Sequence, residues 1–380
     1  MSRQLSILAP IRYPWRFNSP KHSRHNINVR AFAPFNYLSK KVEGFTIFNP
    51  FPPKHFDLIH AFNRIPISTL PFVIGFESHL PRAFGIENSA LFKLLAARLA
   101  SDECRAVIAT SQFAHRIFTK MHANSRYRDQ LLSKLHVRLP NVLIDDAEDA
   151  CTETVQNHIQ VIFIGNHFGR KGGCVTLKMA ELAYARKLPI RFHVISKFEV
   201  GVKSWTDPLI SGYFDHYRQL LRLPNVSYHG ALPNLSVLAL IQRAHFAILA
   251  TFSDTFGYSA IEAMAHHTPV IATSQGALPE FIEHEKNGVL LKLDTDEFGE
   301  WIHLKDDRTT DRFAAMHREE VERLAHDALD NIVKLVSCQR RYGALRRNAR
   351  SSAIRLFSAT DADKYWDDLY DRAIEGVVSA

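Results

Sequence analysis

Two carboxylates eight positions apart, Asp254 and Glu262, bracket the segment Thr255-Phe256-Gly257-Tyr258-Ser259-Ala260-Ile261. An apolar run over residues 246–250 enters it, so the pattern predicts a strand, a glycine-bearing turn and the start of a helix. N–H groups at such a helix start have no helical partner and favour an anion. Carboxylates accept hydrogen bonds from hydroxyls. The corner therefore suits a ligand that carries both phosphate and hydroxyl groups. A second turn of the same kind lies upstream, where Val161-Ile162-Phe163-Ile164 is followed by Gly165-Asn166-His167-Phe168-Gly169-Arg170-Lys171-Gly172-Gly173 and then a helical pattern. Arg170 offers phosphate a planar fork and Lys171 a compact charge, while glycines let the backbone approach closely. A strand-turn-helix corner alone occurs in every doubly wound fold. Two cations at the second corner make the pair a candidate phosphate site.

The elements that must hold these residues alternate along the whole chain. Strand patterns fall at residues 5–11, 56–61, 71–76, 105–110 and 135–138, with helical patterns at 89–100 and 111–121. An acidic, aperiodic stretch from Asp145 to His158 reads as a linker, placing a boundary near residue 155. Beyond it, strands at 159–165, 190–196, 226–229, 246–250, 270–272 and 289–291 alternate with helices, as in a parallel sheet covered on both faces. Residues 205–223 read as an extra helical insertion and 304–312 as a mobile surface loop. Between 321 and 336, Val321, Leu324, Ala325, Ala328, Leu329, Ile332 and Val333 follow one helical face. A last helical tract covers 344–374.

Four features occur in order: Arg170-Lys171, Asp254 to Glu262 around Phe256-Gly257, Gly276-Ala277-Leu278-Pro279-Glu280, and Asn287-Gly288. Together they resemble the retaining glycosyltransferases of family four (glycosyl transferases group 1), which have the GT-B fold. The resemblance implies an α/β chain of two Rossmann-like domains facing across a cleft. It implies an acceptor-side domain at 1–155, a nucleotide-sugar domain at 156–345, and a C-terminal helix over 346–380 that crosses back to the first domain. It implies a hexosyltransferase that retains anomeric configuration, with a nucleotide diphosphate sugar as donor substrate and no separate cofactor. The acceptor would be a glycan or a lipid-linked molecule, in cell-surface polysaccharide or glycoconjugate synthesis. Arg170 and Lys171 would hold the diphosphate without a metal ion, aided by N–H groups of Phe256, Gly257 and Tyr258, with Ser259 beside them and Gly165 and Gly169 shaping the turn. Glu262 matches the carboxylate that receives ribose hydroxyls, and Asp254 the one near the transferred sugar, although family members commonly carry Glu there. An Asp is shorter by one carbon–carbon bond, about 1.5 Å. The base would lie near Phe198 and near His229-Gly230. In the first domain, relatives place a His near the donor sugar; here His79 is offset by two positions, and Glu77 is the alternative. Relatives have a glycine-rich loop after the first strand, where this chain has Arg12 and Arg16, one of them a phosphate or acceptor contact or both part of a basic surface loop. The departures leave a second reading open, a degenerate relative that binds sugar nucleotide or glycan as a regulatory or partner subunit.

Composition sets the remaining bounds. With 380 residues and 46% hydrophobic content, the chain can build two cores. No apolar run reaches membrane-spanning length, and the N-terminal apolar run is too short for an export signal. Cys104, Cys151, Cys174 and Cys338 lack metal or disulfide spacing, which fits reduced thiols and a cytoplasmic location. No pair among the 20 histidines has metal-ligand context. The net charge of +8 concentrates over residues 1–60 and in Arg340, Arg341, Arg346, Arg347, Arg350 and Arg355. Such faces suit an anionic membrane surface or ordinary solvation; no nucleic-acid module accompanies them.

Overall fold

The computed structural model describes residues 3–11, 13–34, 43–49, 51, 54–87, 89–144 and 158–376. The chain divides into two compact units, Met1–Leu143 with Phe357–Ala380, and Ile144–Leu356. The linker boundary expected near 155, Arg12 and Cys151 lie outside the described residues.

In the first unit the strands are β1 (Ser6–Pro10), β2 (Asn26–Arg30), β3 (Phe32–Pro34), β4 (Phe45–Phe48), β5 (Leu58–Phe62), β6 (Ile65–Pro66), β7 (Phe72–Phe76), β8 (Cys104–Ala109) and β9 (Leu135–Val137). Six of them form a parallel sheet in the order β2-β1-β5-β7-β8-β9, and β3-β4-β6 form a small separate sheet. Central strands β5 and β7 are buried at every position, His60 of β5 included, as strands of a sheet covered on both faces should be. The sequence pattern missed β2, β3, β4 and β6. The strand β2 reads Asn-Ile-Asn-Val-Arg, a half-exposed edge whose polar content hides it. The helices are α1 (Tyr13–Phe17), α2 (Ala90–Ala100), α3 (Gln112–Met121) and α4 (Arg128–Leu132). Serines start two of them: Ser89 accepts the Phe92 N–H and Ser111 the Ala114 N–H.

The second unit contains β10 (Ile159–Ile164), β11 (Ile190–Ile195), β12 (Val226–Gly230), β13 (Phe246–Leu249), β14 (Val270–Thr273) and β15 (Gly288–Leu291), all parallel. Their order is β12-β11-β10-β13-β14-β15. This is the dinucleotide-fold order, which reverses between β10 and β13, and ligands of such sheets bind beyond the carboxyl ends at that switch. Its helices are α5 (Gly173–Ala185), α6 (Asp215–Leu220), α7 (Asn234–Arg243), α8 (Tyr258–Ala265), α9 (Asp311–Val336) and α10 (Gln339–Phe357).

Three expectations change. The insertion at 205–223 is mostly turn, with only α6 helical. The loop at 304–312 is tied down, because Arg308 donates to the carbonyl of Asp207 at 2.9 Å and accepts the Leu209 N–H at 2.8 Å. The last helical tract is two helices, α10 and then α11 (Ala359–Glu375), broken at Ser358. Helix α11 belongs to the first unit, where Ala362, Trp366, Leu369, Tyr370 and Ala373 pack on Leu5, Ile7, Leu58, Val73, Ala106 and Ile108. On α9 the expected face is buried except Val333, which is 39% exposed.

The arginine tract is less of a surface than its composition suggests. Arg346 and Arg350 are buried and donate to the carbonyls of Ala244 and Ala265, at the C-terminal ends of α7 and α8, while Arg341 pairs with Glu285. Cationic side chains there satisfy the orphan carbonyls and the negative end of each helix. No helix among the described residues is long and apolar enough to cross a membrane.

Candidate active site

The turns after β10 and β13 are stitched together at the switch point. The carbonyl of Arg170 accepts the Phe252 N–H at 2.9 Å and the Thr251 hydroxyl at 2.8 Å. Gly172 makes that closeness possible: it has φ 90°, and a Cβ there would stand 2.4 Å from the Ala250 carbonyl oxygen. Gly165 lies against the stem of Lys171. Arg170 is buried; its guanidinium donates to the carbonyl of Ser253 and lies 4.4 Å beneath the ring of Trp205.

Lys171 forms an ion pair with Asp254, whose side chain is only 8% exposed. Burial alone would raise the Asp254 carboxyl. The charges of Lys171 and Arg170, with hydrogen bonds from Lys171 and the Thr255 N–H at 2.9 Å, outweigh it and hold the group below its ordinary value of 3.8. The Asp254 carbonyl accepts from the side-chain amide of Gln275 at 3.2 Å. Three residues on, Gly257 caps α8 with φ 88° and no side-chain cap. Tyr258 and Ser259 open the helix half-buried, and Glu262 lies one turn further, also half-buried. Phe256 is buried and its ring stacks on Phe281 at 5.3 Å, so only its backbone can serve a ligand. The corner thus offers a guanidinium, an ammonium already paired with a carboxylate, and a helix start, a set able to hold an anion flanked by hydroxyls.

Residues 158–303 match the family model described as Glycosyl transferases group 1. This segment belongs to that family. A stretch of 89 residues is 32% identical to D-inositol 3-phosphate glycosyltransferase of Mycobacterium sp. (strain KMS), covering 23% of this chain and 20% of the relative. The match thus spans about a fifth of the length of the curated relatives. Anabaena HepE in complex with UDP aligns with a TM-score of 0.59 at 16% identity, over 96% of this chain and 99% of that one. A glycosyltransferase from Rickettsia africae ESF-5 aligns with a TM-score of 0.59 at 15% identity, over 99% and 100%. At such identities the likeness shows the fold, which is GT-B with two Rossmann-like units.

Other expected residues of the group 1 segment are placed differently from the core set. The Phe198 ring belongs to the hydrophobic core, stacked on Phe168 at 4.2 Å with the Arg218 guanidinium 4.3 Å over it. It is spent on packing and cannot stack on a base. His229 lies 3.1 Å from His193, whose other ring nitrogen meets the Gln160 side chain at 2.9 Å. Gly230, at φ 64°, has open space where a side chain would stand. Gly169 rests against the Asp207 carboxylate. In the first unit, Glu77 and Asn63 exchange hydrogen bonds at 3.1 and 3.2 Å. His79 packs on Phe84, and its pKa is lowered to about 4 by burial and by Arg82. It is therefore neutral near pH 7. The sequence reading missed Trp205, Ser253 and Gln275, whose contacts span 35, 83 and 21 residues respectively and leave no local periodic signal.

Proposed function

We propose that this chain is a glycosyltransferase that moves a hexose-type sugar from a nucleotide diphosphate sugar to a glycan or lipid-linked acceptor. Transfer proceeds with retention and without a metal ion, in the synthesis of cell-surface polysaccharide or another glycoconjugate. The observation that carries this reading is the meeting of Arg170, Lys171 and Asp254 beside the start of α8, at the sheet's switch point within the group 1 segment. Complexes of HepE with UDP and with UDP-glucose support a uridine nucleotide as the first probe.

Breaking the anomeric C–O bond leaves positive charge on the sugar and extra negative charge on the diphosphate, so groups that hold the diphosphate lower the barrier. Arg170 and Lys171 fill that role. An incoming diphosphate carries more charge than one carboxylate and competes with Asp254 for the ammonium. Asp254, released from Lys171, then accepts from hydroxyls of the transferred sugar, and Glu262 accepts from the ribose diol. The departing phosphate takes the acceptor's proton, a front-side route that needs no separate general base. A lipid-linked acceptor brings the chain to the inner face of a membrane from the cytoplasm.

With UDP-glucose, Lys171→Ala and Arg170→Ala are each expected to lower turnover by about 10²-fold or more. Near-normal rates at saturating donor sink the reading. Activity in excess EDTA should match the untreated rate; a loss restored by Mg²⁺ would remove metal independence. A product whose anomeric proton signal shows inversion would remove retention. The Lys171–Asp254 pair also favours a second reading, binding without turnover as a regulatory or partner subunit, because it neutralises the ammonium. Tight UDP-glucose binding with neither hydrolysis nor transfer across several acceptors selects that one.

A further inference from the structure

We infer that Trp205 is a positioning residue that sets the orientation of Arg170, and that the loop after β11 exists in part to present it. The inference rests on the reading of Arg170 as a diphosphate contact. The indole is 50% exposed, large for an aromatic ring that contributes so little to the core. Its ring face and its N–H are each engaged on one of the two stitched turns. The ring lies 4.4 Å over the Arg170 guanidinium, and its N–H donates to the Ser253 hydroxyl at 3.0 Å. Ser253 in turn gives its carbonyl to that same guanidinium. The cation therefore meets the indole ring on one contact and the Ser253 carbonyl on another. An indole this close favours keeping the guanidinium over its ring, and so limits how far a planar fork that must meet phosphate oxygens can turn away.

The loop that carries Trp205 is itself anchored. Asp207 is fully buried and collects the Gly201 N–H at 3.0 Å, the Ser204 hydroxyl at 2.8 Å and the Thr206 hydroxyl at 3.2 Å. Arg308 binds the carbonyls of Ser204 and Asp207. The Asp207 carboxylate also abuts Gly169, where a Cβ would stand 2.5 Å from it, so the loop touches both Arg170 and its chain neighbour. Two independent contacts thus register one loop on one side of the glycine-rich turn.

The test compares the full-length wild type with Trp205→Ala, Trp205→Phe, Arg170→Ala and the double variant Trp205→Ala/Arg170→Ala. Without ligand, phenylglyoxal modification of Arg170 is followed by peptide mass mapping. The expected result is modification at least severalfold faster in Trp205→Ala and within about twofold of wild type in Trp205→Phe, which restores a ring face. UDP affinity by calorimetry should fall roughly tenfold in Trp205→Ala, the scale of a partly desolvated cation–π contact, but less than twofold when Arg170 is already Ala. Unchanged Arg170 reactivity in Trp205→Ala overturns the inference. So does an equal affinity loss with and without Arg170, which would make Trp205 a direct ligand contact. A wild type that binds neither UDP nor GDP, with Arg170 reactivity still governed by Trp205, upholds the positioning role and defeats the diphosphate reading instead.

Discussion

Lys171 and Asp254 form an ion pair at the candidate site of the second unit. Their pair is mostly shielded from water, at 20% and 8% side-chain exposure. Removing one member of such a pair leaves the other poorly compensated. We expect Asp254→Asn to cost on the order of 2–4 kcal/mol, measured by urea unfolding near pH 7. The acid dependence has a defined sign. The folded Asp254 carboxyl titrates below its ordinary value of 3.8, so its contribution is complete above that value and is lost as the pH falls through the lower, folded one. The stability gap between wild type and Asp254→Asn should hold steady from neutrality to about pH 4 and close only in stronger acid. A gap that closes at pH 5 to 6 would assign the effect to another group.

At the scale of elements, the site depends on two strand-to-helix turns lying closer than ordinary side chains allow. Gly172 combines a left-handed backbone with a Cβ position 2.4 Å from the Ala250 oxygen. Gly172→Ala must shift one turn against the other, and we expect a loss of at least about 2 kcal/mol in urea unfolding. A fall in UDP affinity should accompany it, because the displaced turn carries Arg170 and Lys171. Little change in either measurement would mean that the turns are looser than their hydrogen bonds imply. Helix ends are the other device. The C-termini of α7 and α8 receive Arg346 and Arg350 from α10, so two arginines from a tract that reads as a basic surface are internal caps.

For the whole molecule, the order of units along the chain matters, since the first unit is completed only after the second has been made. Helix α11 covers Leu5, Ile7, Leu58, Val73, Ala106 and Ile108 with Trp366, Leu369 and Tyr370. A chain ending before Phe357 would leave that apolar face open to water. We expect such a truncation to yield, on limited proteolysis, a resistant fragment near residues 158–356 while the N-terminal unit is digested. Equal resistance of both units would show that α11 is dispensable for the first.

The sequence by itself determined the alternation of strands and helices, both glycine-bearing turns and the residue types at the switch point. These are local signals: apolar runs for buried parallel strands, glycines where a turn needs them, and cations beside a helix start. It also carried the resemblance to group 1 glycosyltransferases, within which the matched segment falls. Polar edge strands such as β2 stayed hidden because half their side chains face water. What only tertiary structure decided is which charges meet. Asp254 and Lys171 are 83 positions apart, and Trp205 reaches Arg170 from an insertion that reads as helical but is mostly turn. Phe198 is drawn into the core and Arg350 is buried against a helix end. Composition counts each of these side chains the same wherever it lies; desolvation and the nearest opposite charge, which set its role, exist only once the chain has folded.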